Sequence, residues 1–199
     1  RMFQTMPHIS SICVYCGSSN DGPKAHREVA VELGKMMVAR DIRLIYGGGG
    51  VGVMGAIADA VMDAGGDVTG IIPDFLMHQE AGHSKITNLE VVKTMHERKA
   101  RMAELSDGFL ILPGGMGTLE EFFEIVTWRK LNLHNKPIAI LNTEGFWDGL
   151  RNLIDDMAAA NYARPADVAL TTYVGTPGEA LDALEQQASA SGNLASDKL

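Results

Sequence analysis

Short, continuously apolar runs alternate along this chain with longer segments in which apolar residues recur every three or four positions. The short runs predict β-strands, and the longer segments predict α-helices. The predicted strands are Ile9–Tyr15, Ile42–Tyr46, Val68–Ile72, Leu89–Lys93, Gly108–Leu112, Pro137–Leu141 and Val168–Thr172. The predicted helices are Lys24–Arg40, Val53–Ala64, Met95–Leu105, Leu119–Leu131, Phe146–Ala160 and Pro177–Gln187. The stretch Asp74–Ser84 has no clear period, and we predict a loop there.

This alternation indicates the fold class. Helices between strands act as crossover connections, which give a mostly parallel sheet with helices on both faces. The run Phe109–Leu112 is apolar throughout, as expected for a strand that is covered on both faces. We expect one α/β domain over residues 1–188 and a disordered tail over 189–199, where the residues are small and polar. Ligands bind such folds at the carboxyl ends of the strands, so the loops that follow strands are the informative ones.

Charge and composition exclude several functional classes. The formal net charge of -8 argues against a nucleic-acid partner, because such a partner requires a basic face. The apolar runs are too short to span a membrane, and residues 1–6 lack the layout of a signal peptide. We therefore expect no membrane partner and a cytoplasmic location. Cys13 and Cys16 lack both a second cysteine pair and a suitably spaced histidine, which favours two reduced, buried thiols over a metal or redox site.

One glycine-rich segment matches a known fingerprint in an unusual place. Gly50-x-Gly52-x-x-Gly55 has the spacing of a dinucleotide-binding loop, but it follows the second predicted strand, whereas that loop normally follows the first. Two interpretations are open. The glycines could serve a nicotinamide or flavin cofactor, or they could permit close packing and support a neighbouring ligand loop, which we favour.

A stronger candidate is the loop Pro113-Gly114-Gly115-Met116-Gly117-Thr118, which lies between an apolar strand and a helix. Its glycines let the backbone approach a ligand without side-chain collisions. The start of the following helix supplies unpaired N–H groups and the positive end of a dipole. This combination suits a phosphate. The loop is not a Walker motif, because it lacks Gly-Lys-Ser/Thr.

The residues Thr118-Leu119-Glu120-Glu121 allow two interpretations. They fit a capping box, in which Glu121 would bond back to the start of the helix, and Glu121 could equally be a functional acid. Thr176-Pro177-Gly178-Glu179 has the same spacing without a glycine cradle, and we interpret it as a simple cap.

Arg98 is the second unusual residue. On a helix, Met95, Met102 and either Arg98 or Lys99 share one face. An arginine between methionines could bind a phosphate or a developing charge. Alternatively, its stem could lie along the edge of the core while the charge reaches water.

The two segments together resemble the Lonely Guy family of cytokinin riboside 5′-monophosphate phosphoribohydrolases, often once labelled lysine decarboxylases. The resemblance rests on Pro-Gly-Gly-x-Gly-Thr-x-x-Glu at 113–121 and on Met-His-x-Arg-Lys at 95–99, and it extends from about Ile12 to Tyr162. It also includes Cys16-Gly17-Ser18-Ser19 and Tyr46-Gly47-Gly48-Gly49.

The resemblance implies a Rossmann-like fold, a homodimer with active sites near the subunit interface, and no metal or redox cofactor. It implies that Arg98 and Glu121 are the catalytic pair. The residues that we expect to bind substrate or its phosphate are Ser18, Glu80, Met95, Lys99, Gly114, Gly115, Met116, Gly117, Thr118, Leu119, Glu120 and Thr127.

The implied reaction is hydrolysis of the N-glycosidic bond of (N6-prenylated) adenosine 5′-monophosphate, which gives free base and ribose 5-phosphate. This chain departs from plant-like members at Arg129-Lys130, where they carry Ala-Gln, and at Val53, where they carry Leu. These departures put the base preference in doubt more than the reaction. The alternatives are a nucleotide-binding module without chemistry and a nicotinamide oxidoreductase. Amino-acid decarboxylation is disfavoured, because no lysine lies in a recognisable cofactor-holding context.

Overall fold

A parallel sheet forms the centre of the structure, a computed structural model that describes residues 9–78 and 82–196. The sheet has seven strands in the order β4-β3-β2-β1-β5-β6-β7, and each neighbouring pair is parallel. The strands are β1 (Ser11–Tyr15), β2 (Arg43–Tyr46), β3 (Val68–Pro73), β4 (Asn88–Val92), β5 (Gly108–Ile111), β6 (Ile138–Leu141) and β7 (Thr172–Val174). The helices are α1 (Lys24–Ala39), α2 (Gly52–Asp63), α3 (Met95–Glu104), α4 (Met116–Lys130), α5 (Asp148–Ala159), α6 (Pro165–Val168) and α7 (Pro177–Ser196). The predicted α/β class and Rossmann-like fold are confirmed.

The two faces of the sheet carry different helices. Ile12 and Val14 of β1 face a cluster that contains α1, α2 and α7, whereas Cys13 and Tyr15 face a cluster that contains α3, α4 and α5. This division follows from the alternation of side chains along a strand. Both cysteines are buried. In the described part of the chain, no helix is both long and apolar enough to cross a membrane.

One predicted strand is wrong. Val168 ends the short helix α6, and the last strand begins only at Thr172. Pro165 occupies the first turn of α6, and Arg164 forms an ion pair with Asp167 across that turn. The strand itself is fixed by pairing with β6, where Ala139 lies opposite Thr172. Pairing of this kind is a tertiary contact that the local pattern does not contain.

Two predicted helices have different ends in the structure. The helix predicted from Leu119 begins three residues earlier, at Met116, so part of the glycine loop is its first turn. The helix predicted to end at Gln187 continues to Ser196. Residues 74–76 of the predicted loop 74–84 form a 3-10 turn.

The neighbouring strands β1 and β5 mark the point where the direction of winding reverses. The chain leaves β1 for α1 on one face and leaves β5 for α4 on the other, so a cleft opens at their carboxyl ends. At their amino ends, Asp107 accepts hydrogen bonds from the backbone N–H groups of Ser10 and Ser11, each at 3.0 Å. At their carboxyl ends, the Gly17 N–H donates to the Pro113 carbonyl at 3.0 Å.

Candidate active site

A cavity of about 510 Å³ occupies this cleft. The loop after β1, the glycine loop at the start of α4 and the first turn of α3 all contribute to its lining. Most of the predicted site residues line it. They are Ser18, Met95, Arg98, Gly114, Gly115, Met116, Gly117, Thr118, Glu120 and Glu121.

The glycines of the loop have different surroundings. A Cβ atom on Gly114 would lie 2.1 Å from the Thr118 hydroxyl oxygen, so the fold itself requires glycine there. A Cβ atom on Gly115 or Gly117 would meet nothing within 4 Å. Packing therefore explains glycine only at position 114. At positions 115 and 117, the missing side chains leave open space beside the cavity.

The start of α4 is the feature most suited to an anion. Gly115 is its N-cap residue, and no described side chain caps it. Its first-turn N–H groups and the positive end of its dipole therefore remain available to a ligand. The capping interpretation of Thr118 and Glu121 is wrong, since Thr118 lies inside the helix.

The comparison segment at the start of α7 is a true capping box. Glu179 N–H donates to the Thr176 hydroxyl at 3.3 Å, and the Glu179 carboxylate accepts from Thr176 N–H at 3.1 Å. The Thr-x-x-Glu spacing therefore forms a capping box at the start of α7 but lies inside the helix at α4. Of these two helix starts, only that of α4 is left without a side-chain cap from the described residues.

Arg98 is fixed inside the protein. Its Nε donates to the Ile71 carbonyl at 3.1 Å and its Nη2 donates to the Gly47 carbonyl at 2.7 Å. Only 2% of its surface is exposed, so the alternative in which the charge reaches water is wrong. Its guanidinium is therefore a cation of fixed orientation at the cavity wall.

Glu121 lies in the second turn of α4 and is also buried, with 6% of its surface exposed. Burial raises the pKa of the Cys13 thiol, and the negative charge of Glu121 adds to that effect. Burial likewise raises the pKa of Tyr15, with contributions from Cys13 and Glu121. The carboxylate therefore lies close to the end of β1, in a part of the cavity where water is scarce.

Four predicted substrate residues are not among the described residues that line the cavity. Lys99 is buried between the carboxylates of Glu120 and Glu124, at 2.5 and 2.7 Å. Leu119 packs on the core, and Thr127 is exposed further along α4. Glu80 lies outside the described residues. A substrate contact at these positions stays a prediction.

Several residues of the cavity wall were not predicted. His26 comes from the first turn of α1, Leu76 from the 3-10 turn after β3, and Phe146 from the loop after β6. They are distant in the sequence, and each resembles an ordinary core or surface residue in its own segment. Only the sheet order could have identified them, since it brings the loops after β1, β3 and β6 to one edge.

The glycines at 50–55 are explained by packing. A Cβ atom on Gly52 would lie 2.6 Å from the Ser18 carbonyl carbon, and one on Gly55 would lie 2.4 Å from the Gly50 carbonyl oxygen. Gly52 also has a positive φ of 65° and donates its N–H to Asn20 Oδ1 at 2.9 Å. The segment supports the Ser18 loop, which is the interpretation that we favoured.

A family model and individual relatives place this chain in the same protein family. Residues 54–184 match the family described as "Possible lysine decarboxylase". The probable cytokinin riboside 5′-monophosphate phosphoribohydrolase LOGL2 of Oryza sativa is 42% identical over 88% of this chain and 72% of its own length. The cytokinin riboside 5′-monophosphate phosphoribohydrolase LOG3 of Arabidopsis thaliana is 41% identical over 89% of this chain and 82% of its own length.

Solved structures confirm the fold. The molybdenum cofactor carrier protein of Chlamydomonas reinhardtii superposes with a TM-score of 0.67 at 21% identity, over 90% of this chain and 98% of that one. The molybdenum cofactor binding protein of Rippkaea orientalis gives a TM-score of 0.66 at 21% identity, over 88% and 94%. At this level of identity, the similarity concerns the fold.

Proposed function

This chain belongs to the Lonely Guy family of cytokinin riboside 5′-monophosphate phosphoribohydrolases, and we propose that it hydrolyses the N-glycosidic bond of (N6-prenylated) adenosine 5′-monophosphate. The products are the free base and ribose 5-phosphate. The observation that carries the proposal is one cavity that combines an uncapped, glycine-lined helix start with a buried guanidinium and a buried carboxylate.

We assign the 5′-phosphate to the start of α4. Gly115 and Gly117 leave room for it, and the first-turn N–H groups of α4 would bind its oxygens. Thr118, whose hydroxyl lies beside Gly114, adds a polar group to the same turn. Binding the phosphate away from the reacting bond would orient the ribose and lower the entropy cost of reaction.

We assign Glu121 to the ribose. Positive charge develops on the sugar ring as the glycosidic bond breaks, and a carboxylate beside the ring stabilises it. In the same step, water adds its oxygen to C1′ and Glu121 accepts the proton that the water loses. The departing base takes up one proton from solvent and Glu121 afterwards releases the proton that it accepted, so the overall reaction consumes one water molecule. The buried position of Glu121 strengthens these interactions, because little water screens them.

We assign Arg98 to the departing base. Two of its nitrogens are held by the Gly47 and Ile71 carbonyls, so the positive charge is already oriented before substrate arrives. A preorganised cation stabilises the negative charge that moves onto the base as the bond breaks. This role differs from that of Glu121, and the two residues act on opposite sides of the same bond.

We also propose a homodimer, with Thr127 and the segment after α4 close to the contact between subunits. Leu131 and Leu133 in that segment are 60% and 68% exposed, which supports an apolar contact there. The cytoplasmic location stays a prediction from the sequence.

The test is to incubate the chain with AMP and with N6-prenylated AMP and to measure free base and ribose 5-phosphate by chromatography. Glu121→Gln should abolish base release while calorimetry still detects nucleotide binding. Glu104→Gln, a change at an exposed carboxylate paired with Arg101, is the control and should retain activity. Nucleotide binding without base release by the parent chain would favour the non-catalytic module. Unchanged turnover in Glu121→Gln would contradict the role given to that residue.

A further inference from the structure

His26 is a buried polar residue of the cavity that has no role in the reaction as assigned above. It lies in the first turn of α1 and lines the same cavity as the glycine loop at the start of α4. Only 6% of its surface is exposed. Within the described ranges, 9–78 and 82–196, its imidazole makes no hydrogen bond to another residue. Its ring nitrogens are not among the fully enclosed side-chain atoms, so they are open to the cavity and available to a ligand.

The surroundings of His26 fix its ring but give its nitrogens no partner. The imidazole packs edge-on against Phe146, with ring centroids 5.1 Å apart, and Phe146 packs edge-on against Trp147 at 4.7 Å. Burial lowers the pKa of His26, and the nearby charge of Glu144 opposes that effect only in part. Near neutral pH the ring therefore carries one N–H donor and one acceptor.

The starts of α1 and α4 line the same cavity. The Gly17 N–H bonds to the Pro113 carbonyl, and a Cβ atom on Gly17 would lie 3.2 Å from the Gly114 Cα. The loops that lead into the two helices are thus in direct contact. Like α4, α1 has no side-chain cap from the described residues. Two uncapped helix starts and an unpartnered imidazole therefore surround the same space.

We propose that His26 is a positioning residue that donates a hydrogen bond to the 5′-phosphate, which then lies between the starts of α4 and α1. This inference rests on the proposed function only in placing a phosphate at α4. The glycine loop binds the phosphate through backbone N–H groups on one side. His26 binds it from the other side and selects for a phosphate monoester over an uncharged 5′-hydroxyl.

Two substitutions separate hydrogen bonding from packing. His26→Phe keeps an aromatic ring against Phe146 and removes the donor, whereas His26→Gln keeps an N–H donor. Calorimetry with ribose 5-phosphate avoids turnover, because this ligand lacks the bond that is cleaved. We expect His26→Phe to weaken ribose 5-phosphate binding at least about tenfold, the effect of one hydrogen bond to a charged group, and His26→Gln to recover most of that loss. Inorganic phosphate, measured as a competitor, should weaken by a similar factor.

The outcomes are distinct. The inference is overturned if His26→Phe binds ribose 5-phosphate as the parent does, if both variants lose binding equally, or if inorganic phosphate binding is unaffected. It is also overturned if the parent chain does not bind ribose 5-phosphate. If the parent binds ribose 5-phosphate through His26 yet releases no base from AMP, this inference stands and the proposed hydrolase activity falls. Thermal unfolding of each variant shows whether a loss of binding reflects a loss of folding.

Discussion

The Nη2 of Arg98 donates a hydrogen bond of 2.7 Å to the carbonyl of Gly47, and a Cβ atom at position 47 would lie 2.1 Å from that same nitrogen. Glycine at this position is therefore what allows the guanidinium to reach the backbone. The glycine run after β2 serves the residue that we assign to the departing base, although the two are 51 positions apart.

We predict that Gly47→Ala separates activity from stability. The new methyl group would displace the end of a long side chain, so the free energy of unfolding should fall by only about 1–2 kcal/mol. Base release should fall about 100-fold or more, since a shift of about 1 Å at a catalytic group has that effect. Urea unfolding and turnover of AMP measure the two quantities. A large loss of stability with turnover intact among the remaining folded molecules would contradict the link between Gly47 and Arg98.

Gly117 and Gly149 offer a matched comparison. Each is the second residue of its helix, α4 or α5, and a Cβ atom on either would meet nothing within 4 Å. Alanine should therefore stabilise the protein by up to about 1 kcal/mol at both positions. Only Gly117→Ala should weaken ribose 5-phosphate binding, because its methyl group enters the space assigned to the phosphate. Equal ligand affinity in the two variants would remove Gly117 from the phosphate site.

Lys99 provides a third prediction. Lys99→Met leaves the carboxylates of Glu120 and Glu124 without their shared cation, and it should lower the free energy of unfolding by about 2 kcal/mol, less than for a fully buried pair because Glu120 is half exposed. A triple variant that also carries Glu120→Gln and Glu124→Gln should recover stability. If Lys99 also contacts the substrate, as the sequence predicts, the triple variant will show a higher KM than the Glu120→Gln/Glu124→Gln double variant, which accounts for the position of Glu120 in the cavity wall. Equal KM values in the triple and double variants would show that Lys99 serves only to connect α3 and α4 through its ion pairs.

Asp107 should make stability depend on pH at the acidic end. Burial acts to raise the pKa of Asp107, but hydrogen bonds from Ser10 and Ser11 outweigh it and hold the pKa below its ordinary value. A depressed carboxyl pKa stabilises the folded state above the unfolded pKa, near 4, and this stabilisation is lost as pH falls through the folded value. Asp107→Asn should therefore cost about 1 kcal/mol at pH 7 and almost nothing near pH 2. Urea unfolding at both pH values tests this, and a pH-independent difference would contradict it.

Much of the fold could be predicted because its elements are strongly periodic. Runs such as Phe109–Leu112 are buried on both faces, so their pattern alone indicates the strand. The start of α4 could not be placed, since the glycines at its first turn disfavour a helix locally and only the folded chain shows that they begin one. The end of α7 was missed for the opposite reason. Its small polar residues suggested disorder, but the alanines among them favour continuation of the helix.

The candidate site could be predicted in part. Segments 95–99 and 113–121 carry most of its polar residues within short motifs, which made them recognisable. His26, Leu76 and Phe146 come from separate elements and meet only through the order of the strands. Whether Thr118 and Glu121 formed a cap could not be decided from spacing, because Thr176 and Glu179 share that spacing and do form one.

The bonds that join β1 to β5 at both ends have a mechanical consequence. Asp107 holds the amino ends of β1 and β5 together and the bond between Gly17 and Pro113 holds their carboxyl ends, so the loops that lead to α1 and α4 leave adjacent strands, which lie about 4.8 Å apart. Moving the base of one loop relative to the other would break this pairing, so we expect the bases of the two loops to keep a fixed separation. We therefore expect substitutions in the loops at the rim of the cavity to change substrate specificity, and substitutions in the strands beneath to change stability instead.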